Sequence, residues 1–117
     1  MSHRYALLAL AFIVLPVAAG AATIHVPADQ PTIQQGLYAA GDGDTVLVAA
    51  GTYTGAGNRD LDFDGAHIVL RSESGQLSTV IDCEDLGRGF HFQSGEDTTA
   101  VVEGFTIRNG VFEDHGP

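Results

Sequence analysis

Carboxylates spaced two residues apart are the feature of this sequence best suited to chemistry. Asp60, Asp62 and Asp64 alternate with Leu61 and Phe63, and Asp82 and Glu84 flank Cys83. Side chains two apart share one face of an extended strand, so each set would present its oxygens together. Calcium is the cation such oxygens suit, because it takes several carboxylate and carbonyl ligands in flexible geometry. Asp60-x-Asp62-x-Asp64-Gly65 also matches the opening of an EF-hand loop. The match fails at the twelfth position, where Arg71 stands in place of a bidentate glutamate, and no helical pattern flanks the loop. The EF-hand reading is rejected.

Other reactive types lack the right context. His25, His67, His91 and His115 show no H-x-x-x-H or H-E-x-x-H spacing, so no zinc site is expected. Ser72, Ser74, Ser78 and Ser94 lie in turn-like stretches without a G-x-S-x-G elbow, and read as turn-forming hydroxyls. Cys83 is the single cysteine, so no internal disulfide can form. No catalytic, cofactor or metal residue is therefore assigned.

The elements that would position the carboxylates begin after an export signal. Met1–Arg4 is basic, Tyr5–Ala19 is an apolar run interrupted by Pro16, and Ala19-Gly20-Ala21 supplies small residues for cleavage. That order predicts a secretory signal peptide over residues 1–21. The run falls short of the roughly 20 apolar residues a membrane span needs, so no span is expected after cleavage. Beyond Ala21, four arginines and no lysine face all fifteen carboxylates. Such a surface excludes nucleic acid as a partner, since that requires a basic footprint. It leaves divalent cations and extracellular or cell-wall polysaccharide.

Thr23–Val26 alternates polar and apolar residues and predicts a short strand ended by Pro27. Pro31 opens a helical stretch over Thr32–Ala40, with Ile33, Leu37 and Ala40 on one face. Gly36 should weaken that helix by about 1 kcal/mol relative to alanine. From Thr45 onward the pattern is apolar pairs separated by glycine turns. Val46/Val48, Ile68/Leu70 and Phe90/Phe92 recur every 22 residues, interleaved with Leu61/Phe63, Ile81/Cys83 and Phe105/Ile107. A fixed period of this size predicts a repeat architecture. The expected fold is all-β, a right-handed parallel β-helix of about three coils over residues 45–117. Residues 22–44 would form its first strand and capping helix. Phe112 falls at the next step and the coil then stops, so the solenoid is expected to be incomplete at its C-terminus.

ATIHVPADQPTIQQGLYAAGDGDTVLVAAGTY, followed by NRDLDFDGAHIVLRSESG, TVIDCE and GFTIRNG, resembles the N-terminal cap and first coils of bacterial secreted proteins of the right-handed parallel β-helix (pectin-lyase-like) superfamily. That superfamily includes pectate lyases, pectin methylesterases and adhesins, so the resemblance implies a fold more firmly than an activity. In the expected register, Asp62 and Asp64 lie beneath Asp82 and Glu84, followed by Thr106 and Arg108. With strands roughly 4.8 Å apart, the four carboxylates would crowd one patch and either bind Ca²⁺ or form a solvated acidic face partly neutralised by Arg108. The solvated face is the expected state.

Two functions follow as expectations. One is a secreted or cell-surface scaffold, non-catalytic as it stands, that binds glycans or serves adhesion. The other is the N-terminal fragment of a pectate-lyase-like or pectinesterase-like enzyme whose site lies in further coils.

Overall fold

The computed structural model describes residues 20–111. The expected signal segment, apart from its last two positions, and Phe112 lie outside the described residues.

Among the described residues, seven short strands and one α-helix follow in the order β1 (Thr23–Val26), α1 (Ile33–Ala39), β2 (Thr45–Val48), β3 (Gly51–Tyr53), β4 (Val69–Ser72), β5 (Thr79–Asp82), β6 (Val101–Glu103) and β7 (Thr106–Arg108). They form two sheets, one ordered β1-β2-β4-β6 and the other β3-β5-β7. Every pairing in both is parallel. Alternation along each strand sends one set of side chains inward. Ile24, Val46, Leu70 and Val102 align across the first sheet, and Tyr53, Ile81 and Ile107 across the second. Val46, Leu70 and Ile81 are fully buried, and the same apolar cluster takes in Leu61, Phe63, Ile68 and Cys83. Burying side chains of this size contributes about 1.5–3 kcal/mol each, and no disulfide assists.

The helix forms where its pattern predicts. Thr32 is the N-cap, its hydroxyl accepting a hydrogen bond from the Gln35 amide, and Ile33, Gly36 and Leu37 make the buried face. That face packs on β1, on β2 and on a 3₁₀ turn at Ala56–Asn58. Asn58, almost fully buried, accepts from the Ile33 amide at 2.8 Å and donates to the Thr54 carbonyl at 2.8 Å. It satisfies a first-turn amide that has no partner within the helix. Gly36 has a packing reason. A Cβ there would stand 2.9 Å from a Val26 methyl and 3.0 Å from a Val46 methyl, so the missing side chain lets the helix approach the sheet.

The expected all-β solenoid is corrected. The structure is a small α/β-type domain with two parallel sheets and one helix, not a parallel β-helix of uniform coils. The premise that fails is the fixed period. Partners in the first sheet step from Thr23 to Thr45, Val69 and Val101, which is 22, then 24, then 32 residues. In the second sheet Gly51 pairs with Thr79 and Val80 with Thr106, steps of 28 and 26. The repeat and solenoid reading goes with the period.

The element assignments explain the error. Leu61/Phe63 and Phe90/Phe92 are not strands of either sheet, and they meet in one isolated bridge, Leu61 to Phe90. Asp60 and Asp64 bracket the first pair at positive φ (50° and 53°), a conformation that ends a ladder. Leu61 and Phe63 thus pack inward without forming a strand, while Phe92 is half exposed. Conversely, Gly51–Tyr53 and Val101–Glu103, which carry no such pair, form β3 and β6.

Candidate functional site

The four carboxylates of the expected stack divide into two separate sets. β5 pairs with β3, not with residues 61–63, so Asp82 and Glu84 do not lie over Asp62 and Asp64. Arg108 stands opposite Asp82 rather than Glu84, a shift of two residues from the expected register.

Each set holds a turn. Asp62 accepts from the Asp64 amide at 2.8 Å with one oxygen and from the Gln93 side chain at 3.2 Å with the other. Its own backbone is clamped by Gln34, whose amide nitrogen donates to the Asp62 carbonyl and whose oxygen accepts from the Asp62 N–H, both at 2.9 Å. Asp82 repeats the pattern. One oxygen accepts from the Glu84 amide at 3.0 Å and the Asn109 side chain at 2.9 Å, and the other takes Arg108 Nε at 3.2 Å. Glu84 accepts from the Gly55 amide at 3.1 Å, with Arg59 at 3.7 Å.

Asp62-x-Asp64 and Asp82-x-Glu84 are therefore corners built alike. The acid at the first position accepts the amide two residues on, and that later residue, Asp64 or Glu84, takes positive φ. Asp and Asn side chains favour such turns because they bond their own backbone and tolerate the left-handed region. The bonds stabilise the ionised form. The Asp64 amide first, then Gln93, holds Asp62 below the usual carboxylate range. The Asn109 amide, the Glu84 N–H and Arg108 do the same for Asp82. Asp44 is lowered by the amides of Ala22 and Gly41, and Glu96 chiefly by that of Gly65.

A third cluster escaped the sequence reading. His67 Nδ1 contacts the Thr99 hydroxyl and lies 3.3 Å from Asp97, and Thr99 donates to Asp97 at 2.7 Å. Hydroxyl, imidazole and carboxylate thus meet in one place. A charge relay needs the hydroxyl and the carboxylate on opposite ring nitrogens, whereas Thr99 and Asp97 share Nδ1. The arrangement fastens the loop at residues 97–99 to the start of β4. Its legible trace was the D-x-T triplet at Asp97, whose carboxylate accepts the Thr99 amide as in the corners but without their positive φ.

Cys83 is fully buried, and desolvation pushes its thiol upward, away from the reactive thiolate. Among the described residues, no group of three or more His, Cys, Asp or Glu is placed to hold a metal ion. Among the same residues, no helix is long and apolar enough to cross a membrane. No protein-family model, curated protein or solved structure matches the chain, so none identifies it with the pectin-lyase-like superfamily.

Proposed function

We propose that this chain is an exported, non-catalytic scaffold that presents a polar, acidic surface to extracellular or cell-wall polysaccharide. The observation that carries the reading is the use of Asp62 and Asp82. These side chains belong to the carboxylate sets best suited to chemistry in the sequence, yet their hydrogen bonds among the described residues come from turn amides and neighbouring side chains of the fold. A general acid working near neutrality needs a raised carboxyl pKa, and both are shifted the other way. Export is supported by the basic, apolar and small-residue order of Met1–Ala21.

The outer faces offer donors and acceptors side by side, with Gln34, Gln93 and Asp62 in one network and Asn109, Arg108 and Asp82 in another. Neutral glycan hydroxyls can use both. The net charge of −10 opposes anionic polymers. Native electrophoresis through gels containing polysaccharide tests this directly. Retardation by a neutral cell-wall glucan or xylan, with none by polygalacturonate, is the expected result. Ultraviolet-absorbing unsaturated product from polygalacturonate and Ca²⁺, above a heat-killed control, would overturn the non-catalytic reading. Equal mobility in every gel would overturn the glycan reading.

A further inference from the structure

From the contacts of residues 93–99, we infer that this loop is a pH-sensitive strap, fastened across residues 62–67 by His67 and drawn tightest in mildly acidic solution. Gln93-Ser94-Gly95-Glu96-Asp97-Thr98-Thr99 contains no apolar side chain, so burial cannot hold the loop and polar contacts must. They fall at three points. The Gln93 side chain donates to Asp62 at 3.2 Å, Glu96 accepts the Gly65 amide at 2.6 Å, and Asp97 and Thr99 meet His67 Nδ1. The strap passes close above the chain it crosses. A Cβ at Gly65 would stand 2.9 Å from the Ser94 carbonyl oxygen.

The third point changes charge between about pH 5 and 8, because it holds a histidine. Proton counting shows what that change does. The Thr99 hydroxyl has one proton, and it goes to Asp97 Oδ1 at 2.7 Å. Contact between the Thr99 oxygen and His67 Nδ1 then needs a hydrogen on Nδ1. Imidazolium always carries one there, whereas neutral imidazole does so in only one of its two tautomers. The other tautomer sets two lone pairs against each other. Protonation therefore removes a tautomer choice and adds the attraction of Asp97, 3.3 Å away.

Carboxylates face His67 from both sides. Asp97 approaches from the strap and stays ionised, held below the usual carboxylate range first by the Thr99 hydroxyl and then by the Thr99 amide. Asp42, in the turn between α1 and β2, accepts the His67 N–H at 2.9 Å. Asp44, in the same turn, is directed to the amides of Ala22 and Gly41. Below the ordinary carboxylate range, about pH 4, Glu96 and Asp97 take up protons and the fastening is lost. Tight closure thus spans the interval between the carboxylate and imidazole ranges. Lifting the strap parts Gln93 from Asp62, and only that consequence, a change in the polar face offered to glycan, rests on the proposed function.

Amide hydrogen exchange of the full chain, corrected for the intrinsic effect of pH on exchange, tests the inference. The Gly65 amide is the reporter, because its acceptor is Glu96 of the strap. The Val69 amide, bonded to the Asp44 carbonyl, is the reference. Relative to it, Gly65 should be about two- to fivefold better protected at pH 5.5 than at pH 8, the range for an exposed ion pair. His67→Asn keeps a donor near the place of Nδ1 but cannot titrate, and should give equal protection at both. Equal protection in the unmodified chain, greater protection at pH 8, or an unchanged pH dependence in folded His67→Asn would each overturn the strap. Polysaccharide gels run at a single pH read the proposed function and none of these outcomes, so the two readings can fail separately.

Discussion

The two edges of the first sheet are built from similar strands and finished in opposite ways. At β1 the outward backbone groups of His25 are closed by Asp29 and Gln30, and α1 covers the core with Ile33 and Leu37. At β6 and β7 the corresponding groups of Val102 and Ile107 face outward, and burial fades along each aligned row. Leu70 is fully buried and Val102 partly so, Ile81 is fully buried and Ile107 nearly half exposed, and Phe63 is buried where Phe92 is not. The lesson is that strand pattern alone does not finish a sheet. A polar side chain in register with the edge and an apolar element of another kind are both needed.

Substitutions can break that contrast. Leu37→Ala should have the largest effect, about 3 kcal/mol of lost stability by denaturant unfolding, because it removes a buried side chain from the closed end. Ile107→Ala at the open end should cost under about 1 kcal/mol, since much of the side chain is already solvated. Comparable losses at both positions would contradict the contrast. Asn58→Ala should cost about 2 kcal/mol, leaving the Ile33 amide buried without an acceptor. Asn58→Asp keeps that acceptor and should recover part of the loss.

Gly36→Ala sharpens the account because two effects oppose each other. Helix propensity gains about 1 kcal/mol, while crowding two valine methyls costs about 1–3 kcal/mol. A net loss near 1 kcal/mol is expected, and a gain would show that the close helix–sheet contact tolerates a methyl group.

The smallest effect is on pH. Asp44, Asp62, Asp82, Glu96 and Asp97 all have lowered pKa values in the folded chain. The unfolded chain then binds protons first, so their stabilisation is complete above the ordinary carboxylate range, about pH 4, and is lost as pH falls below it. Melting temperature should decline from there downward. Asp82→Asn should flatten the decline slightly, and a melting temperature that rose on acidification would be the opposite sign.

Much of the architecture was legible in residues 23–48. Strand, proline, capped helix and glycine turn follow one another there, each governed by local chemistry, and α1 lies within a residue of its expected ends. The later region was legible as burial but not as pairing. Leu61, Phe63, Ile68, Leu70, Ile81 and Cys83 are all in the core, as their alternation implies. Which of them form ladders depends on the left-handed corners at Asp60, Asp64, Glu84 and Asp85 and on loops of unequal length, and neither is visible in apolar spacing. The acids were expected as one solvated stack, and the structure divides them into two corners. What the sequence hid is the corner, because a carboxylate two residues before a left-handed residue looks in sequence like any solvated acid.

Residue-resolved amide hydrogen exchange on the dilute chain tests the contrast between the β1 edge and the β6 and β7 edges most directly. Slow exchange at His25, with rapid exchange at Val102 and Ile107, is the predicted result. Protection at Val102 and Ile107 equal to that at His25 under the same conditions would contradict it.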